Sequence, residues 1–223
     1  MTFARAMRAF LRADPDVIMV GEMRDKETTS IGIEASLTGH RVFATIHTNS
    51  AAESIVRLLD MGMDPFNFAD ALLGIMAQRL AKRLCPKCKK PHVAARDEIN
   101  LILIEYSQDL KNSDRFKADP EAAFEAIYAE WMKNYAYDKG RFILYDPVGC
   151  EACRGTGYSG RVALHELLVA TDAIKQAIQE HARVAVILLA ALNDGMRTLK
   201  QDGIEKVLQG IMNMRSVRAV CIT

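Results

Sequence analysis

The first fifty residues alternate between two kinds of apolar pattern. Val17–Val20 and Val42–Ile46 are short apolar runs without polar alternation, the signature of strands buried on both faces of a parallel sheet. The stretch between them reads as a helix. Asp25 can cap its start, Ile31, Ile33, Ala35 and Leu37 supply an apolar stripe, and Gly39 can close it. Strand, helix and strand then make one right-handed βαβ crossover. Ahead of it, residues 2–13 (TFARAMRAFLRA) form an amphipathic helix with Phe3, Met7, Phe10 and Leu11 on one side.

Further along, Ser50-Ala51-Ala52-Glu53 has the form of a capping box. It opens a helix with Ile55, Leu58 and Leu59 on one face and Gly62 at its end. Asp64 and Pro65 start the next as cap and first helical residue, with Phe68, Leu72 and Met76 expected on its inner side. Residues 98–110 and 120–137 predict two more helices. The second carries Phe124, Ile127, Tyr128, Trp131 and Met132, a face that either packs on the first helix or meets a partner. Thr171 caps a helix holding Ile174 and Ile178. Helices after it should break at Asn193-Asp194-Gly195, Gly203 and Gly210.

A polar residue follows each early strand: Glu22 after the first and His47 after the second. Parallel strands bring their carboxyl ends to one sheet edge, where open α/β sheets bind ligands. Residue type alone leaves two readings open, a joint site or two unrelated loop residues.

Composition narrows the class. The chain has 223 residues, 50% hydrophobic and 26% charged, with a net charge of +1, enough for one or two globular domains with a real core. That balance gives no global field for nucleic acid or an acidic membrane. Val184–Leu192 is too short an apolar run to span a bilayer, and no secretory leader pattern opens the chain. A cytoplasmic protein is expected, reaching a membrane only through partners.

Four of the five cysteines form two C-x-x-C pairs, Cys85/Cys88 and Cys150/Cys153. Four thiolates on two knuckles meet the tetrahedral demand of a structural Zn²⁺, the alternative being free cysteines. The 61 residues between Cys88 and Cys150 exceed ordinary ribbon spacing, yet loop closure costs only about 0.6 kcal/mol per doubling of length. Residues 93–149 are acidic, with 11 Asp/Glu against 7 Lys/Arg. Cys221 is expected only to pack. The basic string Lys82-Arg83-Leu84-Cys85-Pro86-Lys87-Cys88-Lys89-Lys90 supports a second reading, a zinc-ribbon module on nucleic acid. Neutral overall charge and the lack of interleaved aromatics weigh against it.

Two stretches carry a resemblance to a known family. LRADPDVIMVGEMRD, ending at Asp25, closely resembles the Walker B segment of the secretion ATPase superfamily, which drives type II secretion and type IV pilus assembly. GHRVFATIHTNSAAESIVRLLDMG is similar to that family's His box. The resemblance implies an α/β chain, the C-terminal part of a RecA-like P-loop NTPase domain with an inserted tetracysteine zinc module and a C-terminal helical domain. It divides the chain into 1–84, 85–160 and 161–223. It makes Glu22 and His47 catalytic: Glu22 polarises the attacking water, and His47 sits near the γ-phosphate and reports its state across a subunit interface. Gly21, Arg24 and Thr48 fall on the nucleotide side, and Arg24 and Asp25 are near enough to orient Glu22. Gly21 stands where many Walker B strands have Asp, so Mg²⁺ would depend on other groups.

ATP with Mg²⁺ and a structural Zn²⁺ are the implied cofactors. A hexameric ring of like subunits and inner-membrane platform proteins are the implied partners, with no nucleic acid. No G-x-x-x-x-G-K-[ST] loop occurs. Gly155–Val162 (GTGYSGRV) has similar glycine spacing without the Lys and is read as a turn. The chain is therefore expected to begin in mid-domain, with little hydrolysis by these residues alone.

Overall fold

The structure is a computed structural model describing residues 3–221, apart from the side chains of Phe3, Ala4 and Lys139. Thr2, expected to open the first helix, lies outside the described residues. The chain starts with α1 (Phe3–Phe10), β1 (Val17–Val20), α2 (Lys26–Leu37) and β2 (Arg41–Ala44). Next come α3 (Ala51–Asp60), α4 (Pro65–Ala71), β3 (Gly74–Leu84) and β4 (Lys90–Val93). The long insertion supplies α5 (Arg96–Ser107), α6 (Asp114–Ala118), α7 (Pro120–Tyr135) and β5 (Ile143–Asp146). After β6 (Tyr158–Val169) the chain ends in α8 (Asp172–Gln179), α9 (Val184–Asn193), α10 (Leu199–Leu208) and α11 (Met214–Arg218).

These elements form two compact units, Met1–Ala77 with Leu167–Asp194 and Gln78–Glu166 with Gly195–Thr223. The grouping differs from three consecutive segments. The insertion and the last two helices share one core, whereas α8 and α9 belong with the N-terminal elements. β3 pairs with β6, and both strands run from one unit into the other.

In the first unit β1 and β2 pair in parallel, Val17 opposite Arg41 through Val20 opposite Ala44. Met7, Ile18, Val20, Ile31 and Ala35 make the core between this pair and helices α1 and α2. Burial of the strands is one-sided, contrary to expectation: Val17 is 52% exposed, Met19 76% and Phe43 56%. A two-stranded sheet covered by helices on one face leaves alternate side chains open.

The expected stripe on α2 is also corrected. Its buried residues are Thr28, Thr29, Ile31, Gly32 and Ala35, while Leu37 is exposed. Residues two apart on a helix diverge, so Ile31, Ile33, Ala35 and Leu37 never shared a face. The ends follow the sequence. Asp25 caps the start, and the helix closes through Gly39, whose φ of +102° suits glycine, with His40 N–H reaching Ala35 O at 3.1 Å. Around this layer α3 meets α9 and α4 meets α8, burying Ile55, Phe68, Ile174, Ile178 and Ile187. α4 ends at Ala71, so Met76 lies in β3 and is exposed.

The second unit is built around the insertion. β4 and β5 pair antiparallel, His92 opposite Leu144. Trp131 on α7 is 1% exposed and stands edge-on to Tyr106 of α5, with ring centroids 5.2 Å apart. The aromatic face of α7 therefore serves the core of its own unit. Glu205 of α10 ties insertion to tail. Its carboxylate accepts from Tyr106 at 2.9 Å and Tyr135 at 3.0 Å, and pairs with Arg197 at 2.9 Å. Gly203 does not break α10. A Cβ there would stand 3.0 Å from Val217 and 3.2 Å from Leu164, so glycine lets α10 approach its neighbours closely. The expected break at Gly210 is observed.

Trp131→Ala is expected to destabilise the second unit by about 3–5 kcal/mol, the usual cost of truncating a buried Trp. All six tyrosines of the chain lie in that unit. Tyrosine fluorescence during denaturant unfolding therefore reads its transition separately from that of the first unit.

Candidate nucleotide-hydrolysis site and metal centre

The β1–β2 register sets the first site. Val20 faces Ala44 at the carboxyl ends of the strands, so the chain leaves both strands on the same side. Two contacts staple the departing loops together: Thr45 Oγ1 donates to Gly21 O at 2.5 Å, and Met23 N–H donates to Thr45 O at 2.9 Å. Thr45 was not among the expected residues, although a threonine two places before His47 was its signal in the sequence.

Glu22 and His47 consequently meet. His47 Nε2 lies 3.3 Å from Glu22 Oε1, and the Arg24 guanidinium donates to Glu22 Oε2 at 2.5 Å. The carboxylate side chain is only 20% exposed, whereas Arg24 is 75% and His47 82% exposed. The hydrogen bond from Arg24 holds the Glu22 carboxyl below its ordinary value. Desolvation opposes the lowering, and the charges of Arg24 and His47 add to it. Glu22 is thus a carboxylate at neutral pH, with one cation on one oxygen and an imidazole on the other.

The remaining residues have other partners. Asp25 is committed to α2, accepting from Thr28 N at 2.8 Å and Thr28 Oγ1 at 3.0 Å. Thr48 hydrogen bonds Ser54 Oγ at 2.6 Å, at the start of α3, where Ser50 Oγ accepts from Glu53 N. The Glu53 carboxylate reaches Asn49 N at 3.0 Å, one residue before the expected box partner. With Arg24 held against Glu22 Oε2 and Asp25 capping a helix, these residues do not fit a direct ligand set for Mg²⁺.

The second site lies wholly in the second unit. Sγ atoms of Cys85, Cys88, Cys150 and Cys153 all fall within 4.8 Å of one another. The Cys85–Cys150 separation is 3.9 Å, and Cys88–Cys153 and Cys150–Cys153 are 3.8 Å. A tetrahedral zinc with Zn–S bonds of about 2.3 Å spaces its sulfurs about 3.8 Å apart. Disulfides are absent from the cluster, all four cysteines being free.

Backbone groups already favour thiolates there: Cys150 N–H at 3.1 Å and Gly157 N–H at 3.2 Å donate to Cys153 Sγ. Burial opposes ionisation of Cys153, but these bonds and the Cys150 and Cys88 thiols bring it down to about 6. Burial pushes Cys88 up to about 11. The donor set fits a four-sulfur metal centre with no open position. Gly155 and Gly157, both at positive φ, turn the second knuckle into β6, as expected of that stretch. Cys221 packs against the second unit's core, and burial pushes its thiol up to about 11.

The basic string around the first knuckle is partly spent on structure. Lys89 donates to Gly210 O at 2.7 Å and sits 4.1 Å from the centre of the Tyr145 ring.

Comparison with known proteins decides the family. The profile described as type II/IV secretion system protein matches residues 1–219. The chain belongs to that family. Among its curated relatives in the type II/IV secretion family, the type IV pilus assembly ATPase PilB of Thermus thermophilus is 45% identical over 219 residues, covering 98% of this chain and 21% of the relative. The type II secretion system protein E of Dickeya dadantii is 41% identical over 217 residues, covering 97% of this chain and 36% of the relative. The chain therefore spans about a fifth to a third of the length of these two proteins.

A solved structure of the pilus retraction motor PilT with bound ADP superposes with a TM-score of 0.60. It covers 100% of this chain and 44% of that one at 24% identity, a likeness of fold. The RecA-like α/β architecture expected from the sequence is thus shown. Among the described residues, no helix is long and apolar enough to cross a membrane.

Asp25→Ala should fray the first turn of α2 and speed amide exchange at Thr28, leaving the Glu22–Arg24 pair in place. The hydrogen bonds from Thr28 hold the Asp25 carboxyl below its ordinary value. Its contribution to stability is therefore present above the unfolded pKa and lost as pH falls through the folded one. Hydrogen exchange at Thr28 across an acid titration checks both statements.

Proposed function

We propose that this chain is the hydrolytic C-terminal portion of an ATPase that powers type II secretion or type IV pilus assembly. The observation that carries the reading is the convergence of Glu22, Arg24 and His47 beyond the ends of two parallel strands. Relatives named as pilus assembly ATPase and secretion protein E support it.

Glu22 orients the attacking water and takes its proton. The water oxygen bonds to the γ-phosphorus, the bond from phosphorus to the bridging oxygen breaks towards ADP, and phosphate leaves. Such transfer depends mostly on positioning and charge stabilisation. Mg²⁺, when bound with the nucleotide, supplies charge neutralisation on the phosphates.

His47, the more exposed partner of Glu22, lies beside the γ-phosphate and senses it across a boundary between subunits. Gly21 and Thr48 shape the loops on the nucleotide side through their contacts with Thr45 and Ser54. The parent acts as a cytoplasmic hexameric ring of like subunits, held at the inner membrane by platform proteins of the machine. The phosphate-binding loop is contributed by a part of the protein other than these 223 residues, which contain no such string.

The tetracysteine centre holds a structural Zn²⁺ that closes the insertion, joining a knuckle before β4 to one before β6. Cys153→Ser should lose the metal, because three thiolates leave the tetrahedron incomplete. Elemental analysis of the purified chain should give about one zinc per molecule in the parent and a substoichiometric amount in the variant. Absence of zinc from the parent would contradict the assignment.

In the full-length protein, Glu22→Gln should abolish turnover while nucleotide affinity stays near parental. Glutamine keeps the size of the side chain but cannot accept the proton, a loss worth about 10²–10⁴-fold in rate. Steady-state hydrolysis beside equilibrium nucleotide binding checks this, and parental turnover in the variant rules the catalytic role out.

A further inference from the structure

The two oxygens of Glu22 are not equivalent. The nearest contact of the Arg24 guanidinium is to Oε2, at 2.5 Å, whereas that of His47 Nε2 is to Oε1, at 3.3 Å. The backbone beneath the carboxylate is fixed, since Gly21 and Met23, on either side of Glu22, are both bonded to Thr45. What remains free is the rotation of the Glu22 side chain. Arg24 reaches it from two residues along the same loop.

We propose that Arg24 is the positioning residue of the hydrolytic site: it anchors Oε2, so that Oε1 is the oxygen presented to water, and His47 is the group that yields Oε1 when substrate arrives. This rests on the reading of Glu22 as the proton acceptor and adds a division of labour between its oxygens. A guanidinium whose closest contact is to one oxygen favours leaving the other oxygen's lone pairs to water, which a symmetric two-oxygen fork would not.

The anchor has a chemical cost, because a cation beside a carboxylate weakens it as a base. Phosphoryl transfer tolerates that cost, since its transition state asks little of the nucleophile's basicity and much of its alignment. Oε1 receives the water proton as the oxygen–phosphorus bond forms and the bridging bond breaks. His47 suits the yielding role: its side chain is 82% exposed, and Nε2 stands at a longer distance than the guanidinium.

The decisive variants are Arg24→Gln and Arg24→Lys. Arg24 is 75% exposed, so both should fold. In the 223-residue chain, a ¹³C NMR titration of the Glu22 carboxyl should move to higher pH in Arg24→Gln and much less in Arg24→Lys. In the full-length protein, Arg24→Gln should lower kcat by about 10- to 100-fold, the scale of a misaligned reactive group. KM for ATP should change little. The acid limb of the pH–rate profile should move to higher pH, because the group that must be ionised now ionises later. Arg24→Lys should recover part of kcat.

A raised KM with unchanged kcat and acid limb would make Arg24 a nucleotide contact and overturn the proposal. So would an unmoved Glu22 titration in Arg24→Gln. If Glu22→Gln itself turns over at the parental rate, the functional reading fails and the proposal with it. A Glu22 titration that still shifts in Arg24→Gln would then locate the fault in the function and not in the ion pair.

Discussion

Four residues of parallel pairing organise the functional half of this chain. Register in a β-sheet is all-or-none for side chains, because a slip of one residue turns every side chain to the opposite face. With Val20 opposite Ala44, Ile18 and Val20 enter the core with Ile31 and Ala35, and the two loops leave the strands together. Glu22 and His47, 25 residues apart in sequence, meet only through that register. Thr45 then locks the loops with two hydrogen bonds. The carboxylate is therefore presented from a rigid strand end with only its side-chain torsions to be settled, the arrangement that favours precise chemistry over adaptable binding.

Much of this was legible because the signals are local. The cap at Asp25, the closure at Gly39, the start of α4 at Asp64-Pro65 and the cap at Thr171 are each decided within four residues of chain. Cysteine spacing likewise announced a four-sulfur cluster, and the sulfurs converge. The residues around the two loops divide by their partners. Glu22, Arg24 and His47 come together, whereas Asp25 and Thr48 are engaged with helix starts. Both lie beside the converging residues in sequence, but a side chain that finds a partner in the first turns of a helix has little reason to reach across a loop.

What escaped the sequence is what depends on distant partners. GIMAQRLAKRL (Gly74–Leu84) is rich in good helix formers, yet it is a strand because β6 lies beside it, a case of tertiary pairing overriding propensity. The exposed face of β1 and β2 could not be foreseen from their composition, since a valine says nothing of what covers it. Nor does an acidic insertion reveal that its apolar residues will join the C-terminal helices. There the decisive contact is a buried glutamate shared by tyrosines from two insertion helices, 99 and 70 positions away in sequence.

The interleaving of the two units carries a consequence for how the polypeptide is made. The boundary is crossed within β3, within β6 and at Asp194–Gly195. During vectorial synthesis the first unit lacks α8 and α9 until Asp194 has emerged, leaving the apolar sides of α3 and α4 without their partners. The second unit, begun at Gln78, lacks α10 and α11 almost to the end. Domains ordinarily fold one after another as they leave the ribosome. Here neither can finish before the other is nearly complete, and a nascent chain arrested short of Asp194 holds two unfinished cores.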